Sequence, residues 1–183
     1  MIDTKDMTTN EVLNHALAYA RGAGVGEIVV ATTSGETGRE TARVFSNSGI
    51  KVIAVSHSVG FRESGGKELS EQMVEELKEQ GVQVLTGTMP FHGIEDSFRK
   101  SRSSYSLVNA VADTLRLMGQ GTKVCAEITC MAVDTGIIDE GKDVLAVAGT
   151  HKGADTVLRI RATPTRRFLG LKIREIVAKP TEW

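Results

Sequence analysis

Short apolar runs alternate with segments of helical periodicity along most of this chain. Four runs are rich in Val, Ile, Leu and Ala, which is typical of strands buried on both faces: 27–32, 51–56, 82–86 and 143–149. Three predicted helices separate or precede them, and Thr8 and Glu11 have capping-box spacing at the start of the first: 9–21, 36–48 and 67–80. This alternation predicts an α/β fold, a three-layer α/β/α sandwich whose sheet is mostly parallel.

The second half of the chain has a less regular pattern. We predict a helix over residues 98–118, a fourth strand over 122–129 (TKVCAEIT) and a short helix after it. Residues 156–162 (TVLRIRA) follow the strand at 143–149 after a link too short for a parallel crossover, so we expect an antiparallel pair. The charges in TVLRIRA favour an antiparallel edge strand. The basic tail after residue 162 predicts a turn and a small strand.

Composition narrows the class of protein. The chain has 183 residues, 40% of them hydrophobic and 25% charged, and we expect a single domain over 1–183. A formal net charge of −1 argues against nucleic acid or a membrane surface as a partner. No apolar run approaches membrane-spanning length, so we expect a cytoplasmic protein. Two cysteines, Cys125 and Cys130, are too few for a zinc site, and we predict no metal.

The loop ATTSGETG, residues 31–38, is the first candidate for chemistry. It lies between a buried strand and a helix, at the sheet edge where open α/β folds bind ligands. Free N–H groups at the helix start and several hydroxyls favour a phosphate there. The spacing of Thr33 and Glu36 equally fits a capping box that needs no ligand. Both interpretations stay open on this segment alone.

Two long segments resemble the C-terminal domain of pyruvate kinase: 27–58 (EIVVATTSGETGRETARVFSNSGIKVIAVSHS) and 134–164 (DTGIIDEGKDVLAVAGTHKGADTVLRIRATP). In the resembled domain the five strands at 27–32, 51–56, 82–86, 143–149 and 156–162 would take the order 3-2-1-4-5. Residues 97–129 look like an insertion relative to that family. The barrel that carries pyruvate kinase chemistry has no counterpart in this sequence, so we expect no kinase activity.

The resemblance implies two phosphate-binding loops. One corresponds to Thr32, Thr33, Ser34, Gly35 and Thr37, and the other to residues 149–153, where Lys152 could neutralise a phosphate. Glu36 departs from the family, which often has a basic or neutral residue there. This departure argues against a sugar bisphosphate and leaves room for one phosphate.

The chain is more similar still to small stand-alone archaeal and bacterial proteins of unknown function that are associated with FMN. This resemblance implies a flavin ligand, and Phe61, Met89 and Phe91 could pack against the flavin ring. The predicted cofactor-binding set is Thr32, Thr33, Ser34, Gly35, Glu36, Thr37, His57, Ser58, Phe61, Thr88, Met89, Phe91, Glu127, Gly149, Thr150, His151, Lys152 and Gly153. The protein would be a flavin-dependent oxidoreductase or a non-catalytic sensor of a phosphorylated metabolite. A purely structural homo-oligomerisation domain is the third alternative.

Other polar residues have two interpretations each. His57, His92 and His151 all fall in loops after strands, where one could act as a ligand or catalytic group. Glu127, near the end of the predicted strand 122–129, could bind a ribityl hydroxyl or serve as an acid–base group. It could equally face solvent or pair with Lys123. Cys130 could open a helix as a reactive thiol, but a small buried residue is the favoured interpretation.

Overall fold

The computed structural model describes residues 1–182, which contain seven strands and six α-helices. The strands are β1 Ile2–Asp3, β2 Glu27–Ala31, β3 Lys51–Ser56, β4 Gln83–Thr86, β5 Asp143–Ala148, β6 Thr156–Arg161 and β7 Lys172–Lys179. The helices are α1 Thr9–Ala23, α2 Glu36–Val44, α3 Glu71–Glu79, α4 Ile94–Arg102, α5 Leu107–Arg116 and α6 Gln120–Asp134. A 3-10 helix covers Thr165–Gly170.

All seven strands form one mixed sheet in the order β1-β7-β6-β5-β2-β3-β4. The strands β4, β3, β2 and β5 are parallel neighbours, so their carboxyl ends meet at one edge. The sub-order β4-β3-β2-β5-β6 confirms the predicted order 3-2-1-4-5, and the α/β/α fold class is confirmed with it. The antiparallel pairing of β5 with β6 is confirmed too.

Alternate residues of the central strands face the two helical layers, as the pleat of a strand requires. On β2, Ile28 and Val30 pack with Val12 and Leu13 of α1 in a core shared with α2 and α3. Val29, between them, packs on the opposite face against Met131 of α6. The apolar runs of the sequence are therefore buried on both sides, which is why they lack polar alternation.

The prediction that β6 is an edge strand was wrong. It lies inside the sheet, between β5 and β7, because the tail folds back as an eight-residue strand antiparallel to it. The charge of Arg159 is paired with a neighbouring strand, because its Nη2 donates a hydrogen bond to Asp143 Oδ2 of β5 at 2.6 Å. The sheet's edges are β1 and β4 among the described residues.

The prediction of a strand over 122–129 was also wrong: these residues lie inside α6. This helix is buried on nearly all sides, between the sheet and α5, so its apolar residues are not confined to one face and show no clear period. A short apolar run cannot be assigned to strand or helix by periodicity. The helix α6 lies very close to β6 at Gly121, where a side chain would not fit: a Cβ there would lie 2.1 Å from Thr156 Oγ1.

The predicted helix over 98–118 is two helices, α4 and α5. The break contains Ser103, whose φ is +50°, and a capping box of Ser106 with Asn109 starts α5. The predicted capping box of Thr8 with Glu11 is confirmed at α1. Among residues 1–182, none of the helices has the length and apolar character needed to cross a membrane.

Candidate functional site

A cleft of about 800 Å³ opens where the parallel strands end. Its floor is formed by the ends of β2 and β3, and α6 forms one wall. The loops that follow β2, β3, β4 and β5 surround it, because parallel strands deliver their connections to the same edge. Fourteen of the eighteen residues predicted to bind FMN line this cleft: Thr32, Thr33, Ser34, Glu36, Thr37, His57, Phe61, Met89, Glu127, Gly149, Thr150, His151, Lys152 and Gly153.

The first loop, residues 32–37, leads into α2 without the capping box that its sequence allows. Gly35 is the N-cap residue and has no side chain with which to cap the helix. Instead, Thr32 Oγ1 accepts a hydrogen bond from the N–H of Gly38 at 3.3 Å. The first main-chain hydrogen bond of α2 runs from Arg39 N–H to Gly35 O at 2.9 Å. Of the N–H groups before it, that of Gly38 is bound by Thr32, whereas those of Glu36 and Thr37 have no main-chain partner within the helix.

Gly35 is required by packing rather than by ligand approach. Its φ is +100°, and a Cβ there would lie 2.1 Å from Cγ of Met73 and 3.0 Å from Cδ1 of Leu69. Gly38 likewise faces Ala54 and Leu77, so the space beside both glycines is filled by protein. Gly35 therefore contributes backbone shape to the loop and does not line the cleft itself.

Hydroxyl groups remain for a ligand at this loop. Thr33 and Thr37 are half-buried, Ser34 is exposed, and all three line the cleft. Thr32 is buried and its hydroxyl is used by α2. Glu36 also lines the cleft, and its Oε2 pairs with Nη2 of Arg39 at 2.5 Å, which offsets the negative charge beside the loop.

The second loop, residues 149–153, is anchored at both ends. Thr150 N–H donates to Asp155 Oδ2 at 2.8 Å, and Ala154 N–H donates to Thr9 Oγ1 at 3.1 Å. A Cβ at Gly149 would lie 2.4 Å from the carbonyl oxygen of Gly153, so this loop is as tight as its short length suggests. The exposed side chain of Lys152 supplies the positive charge of the loop. Thr150 N–H is already bound to protein and is not a donor for a ligand.

The opposite part of the cleft is apolar. Phe61 and Met89, from the loops after β3 and β4, face residues of α6 that include Ile128 and Met131. Met89 is buried, whereas Phe61 is half-buried and its ring contacts His57 at a centroid distance of 4.3 Å. These residues give the cleft an apolar side, whereas the loop after β2 carries hydroxyls.

A buried polar cluster lies in the α6 wall of the cleft. The side chains of Lys123 and Glu127 are only 1% and 2% exposed, and Lys123 Nζ forms an ion pair with Glu127 Oε2. Lys123 Nζ also lies 3.0 Å from His92 Nδ1. Glu127 Oε1 accepts from the N–H of Phe91 at 2.8 Å. The pairing of Glu127 with Lys123 is the alternative that the sequence allowed, reached through the i, i+4 geometry of a helix.

Burial and pairing shift the pKa values of this ion pair. Burial lowers the pKa of Lys123 and is only partly opposed by the charge of Glu127. Burial also acts to raise the pKa of Glu127, but its contacts with His92 and with Lys123 outweigh burial and lower that pKa. The carboxylate is therefore held in its charged form.

His57 belongs to a second polar group at the rim of the cleft. Its Nδ1 bonds Glu68 Oε2, and Glu68 Oε1 pairs with Nε of Arg62 at 2.7 Å. The ring of Phe61 lies between His57 and His92, tilted against the first and edge-on to the second. These contacts fix the residue 57–68 loop over the apolar end of the cleft.

Four predicted residues do not line the cleft: Gly35, Ser58, Thr88 and Phe91. Phe91 packs instead in the core between α5 and α6, edge-on to Phe168 at a centroid distance of 5.5 Å. Its backbone still serves the site by binding Glu127. Thr88 is exposed on the loop after β4.

Both cysteines lie inside α6 and are buried, so Cys130 does not open a helix. Burial raises the pKa of the Cys130 thiol to about 12 and that of Cys125 well above its ordinary value. Neither is a reactive thiol at neutral pH. Among residues 1–182, no group of His, Cys, Asp and Glu has the arrangement of a metal site.

The α6 wall is what the sequence-based reasoning missed. The sequence pattern indicated Lys123 only as an ion-pair partner. It did not indicate the other α6 residues that line the cleft: Gln120, Val124, Ile128 and Met131. Lys123 and Glu127 lie four residues apart, and this spacing was a signal for a helix.

The family profile described as pyruvate kinase, alpha/beta domain, matches residues 10–160. A solved pyruvate kinase from Cryptosporidium parvum is 17% identical with a TM-score of 0.44. Pyruvate kinase of the same organism in complex with ADP is 18% identical with a TM-score of 0.45. The matches cover 87% of this chain but only 24% and 25% of the two enzymes' chains.

Proposed function

This chain belongs to the pyruvate kinase alpha/beta domain family, and we propose that its cleft binds a single phosphorylated ligand with a flat ring, FMN. The phosphate would lie between the loops at residues 32–37 and 149–153. The ring would lie against Phe61, Met89 and the α6 wall. Binding at the carboxyl edge of a parallel sheet is the usual ligand position of open α/β folds.

The phosphate end is supported by the start of α2. Its unpaired N–H groups and helix dipole favour an anion, and the hydroxyls of Thr33, Ser34 and Thr37 lie beside them. Lys152 adds one positive charge from the second loop. One cation suits a single phosphate better than a bisphosphate, particularly with Glu36 at the rim.

The observation that carries the proposal is the polarity gradient along the cleft. Hydroxyls and helix N–H groups of the loop after β2 line one side, and Phe61, Met89, Ile128 and Met131, which pack in one cluster, line another. FMN has the same sequence of parts: a phosphate, a polar ribityl chain and a flat ring. The volume of about 800 Å³ is within the range of roughly 300–1,000 Å³ that small-molecule sites occupy.

The chain's own residues would bind and orient the ligand. FMN held here would supply hydride-transfer chemistry, which makes a flavin-dependent oxidoreductase the first functional candidate. His57 and His92 flank the ring position through their contacts with Phe61. The apolar residues of α6 would exclude water from that end.

A non-catalytic sensor of a phosphorylated metabolite is the second candidate. It is favoured by the makeup of the phosphate end, where hydroxyls and one lysine would accept many phosphate esters. Both buried cysteines are also unsuited to redox exchange with a ligand.

The first experiment is a visible absorption spectrum of the purified protein, with mass spectrometry of any molecule released by denaturation. A yellow protein that releases FMN supports the proposal, and addition of a nicotinamide cofactor then separates the two candidates by whether the colour bleaches. A colourless protein that fails to take up added FMN contradicts the flavin ligand.

A double variant, Thr33→Ala with Ser34→Ala, tests the position of the phosphate. We expect the Kd for FMN to rise about tenfold, since two donors to a charged group are lost. The Kd for riboflavin, which lacks the phosphate, should change little. The matched control is the double variant Ser101→Ala with Thr114→Ala. The two hydroxyls that it loses donate to carbonyls of their own helices, and neither residue lines the cleft. Equal effects on FMN and riboflavin would contradict the assigned phosphate position.

A further inference from the structure

The buried cluster in the α6 wall orders the protons around His92. We propose that His92 is held as the neutral tautomer protonated at Nε2 and donates this N–H to the ring of the bound ligand. Lys123 and Glu127 are positioning residues that fix the tautomer. The contact with the ligand rests on the proposed function, whereas the tautomer is a property of the protein without ligand.

The hydrogen-bond partners of Lys123 decide where the protons lie. Glu127 is buried and needs a cation beside it, and Lys123 Nζ contacts Oε2 much more closely than the 3.4 Å between His92 Nδ1 and Oε1. The proton of the ion pair therefore belongs to Lys123. The remaining N–H groups of this ammonium point to His92 Nδ1, at 3.0 Å, and toward the ring of Phe91, 5.3 Å from its centroid.

An ammonium group has donors and no acceptor, so its neighbour at 3.0 Å must accept. His92 Nδ1 can accept only if it carries no proton, and the neutral imidazole then has its proton on Nε2. The opposite tautomer would direct an N–H at the ammonium of Lys123. Its one compensation would be the longer contact to Glu127 Oε1, which is already occupied by Phe91 N–H at 2.8 Å.

The ring of His92 is placed for a contact with the ligand. Its backbone N–H donates to Met89 O at 3.0 Å, and its ring packs edge-on against Phe61 at a centroid distance of 5.7 Å. The side chain is 17% exposed and lines the cleft. Since Nδ1 is occupied by Lys123, Nε2 is the ring nitrogen that remains for the ligand.

An Nε2–H donor at the apolar end of the cleft selects a ring that carries a hydrogen-bond acceptor. The chemical class is a planar heterocycle with a carbonyl or an unprotonated nitrogen on its edge, which includes the flavin ring. A ring of the same size without such an acceptor would leave the donor unpaired, and this costs affinity.

The tautomer is measured first, by long-range proton–nitrogen NMR of the histidine side chains in the ligand-free protein at neutral pH. His92→Gln identifies the His92 signals, and His15 on α1 serves as an internal reference. We expect the pattern of a proton on Nε2 for His92. The double variant Lys123→Met with Glu127→Met, which leaves no unpaired buried charge, should shift His92 toward a mixture of tautomers. A proton on Nδ1, or on both nitrogens, in the parent protein would overturn the inference.

The contact with the ligand is measured by titration with FMN. His92→Gln keeps a donor near the Nε2 position, so we expect a Kd within about threefold of the parent, whereas His92→Asn and His92→Phe should raise the Kd about tenfold. Equal binding by the parent and His92→Phe would overturn the contact and leave the proposed function standing. No FMN binding by the parent would overturn the flavin ligand, and the NMR result would then decide the tautomer by itself.

Discussion

The two sides of the cleft meet the same edge of the sheet but are built differently. The loop at residues 32–37 offers N–H groups and exposed hydroxyls, and its one strict requirement is the backbone shape at Gly35. The α6 wall offers side chains, among them the ion pair of Lys123 with Glu127, which is almost entirely buried. Exposed donors can be removed without a large loss of stability, whereas a buried charge cannot lose its partner.

The largest effect should come from breaking the buried ion pair. Lys123→Met leaves Glu127 charged and unpaired, and we expect a loss of about 3–5 kcal/mol in the free energy of unfolding. Urea denaturation, followed by circular dichroism, measures it. The double variant Lys123→Met with Glu127→Met should lose only about 1–2 kcal/mol, mainly because Phe91 N–H loses its acceptor.

An exposed pair serves as the control for this prediction. Lys78 and Glu75 are 2.7 Å apart on the surface of α3, and Lys78→Met should change the stability by less than about 0.5 kcal/mol. Similar losses for Lys123→Met and Lys78→Met would mean that burial does not distinguish the two pairs.

The backbone requirement of the loop should give the next largest effect. Gly35→Ala forces a side chain into a left-handed conformation and against Met73, and we expect a loss of about 2–3 kcal/mol. Gly24→Ala is the matched control, because Gly24 has a φ of +66° but open space beside it. Its cost should be about 1 kcal/mol. Equal losses of stability for Gly35→Ala and Gly24→Ala in thermal denaturation would show that the side chains of Met73 and Leu69 move to make room for the new methyl group.

The smallest effect should be on how the free energy of unfolding falls at acid pH. The pKa of Glu127 is lowered in the folded protein, so its contribution is complete above the ordinary value of 4.5 and is lost as the pH falls through the folded pKa. Urea denaturation between pH 6 and pH 3 should therefore show a shallower loss for the Lys123→Met, Glu127→Met variant than for the parent. The exposed carboxyls with lowered pKa values are common to both proteins and cancel. Parallel curves would contradict a charged Glu127.

The regular half of the fold could be predicted from local pattern. The strands β2, β3 and β5 are continuous apolar runs, and the helices α1 and α3 have apolar faces. The capping box of Thr8 with Glu11 was also visible, because both partners lie within one turn. Thirteen of the predicted binding residues lie together because they follow strands whose carboxyl ends share an edge.

The α6 wall could not be predicted in the same way. Residues 122–129 are buried on nearly every side because α5 covers the face that the sheet leaves open. A pattern without a period looks like a buried strand, and the choice between strand and helix depends on neighbours distant in sequence. Lys123, Glu127 and His92 became a site only when α6 was placed against the loop after β4.

What the sequence determined by itself is the set of elements whose partners are local: the apolar strands, the amphipathic helices and the polar loops that follow them. The tertiary structure alone decided that β6 is interior, since the tail must return along it as β7. It alone decided that the capping box at Thr33 and Glu36 does not form, because Gly35 packs against α3 and starts the helix two residues later than Thr33. Burial, close contact and hydrogen bonds over long sequence distances depend on packing, and packing is a property of the whole chain.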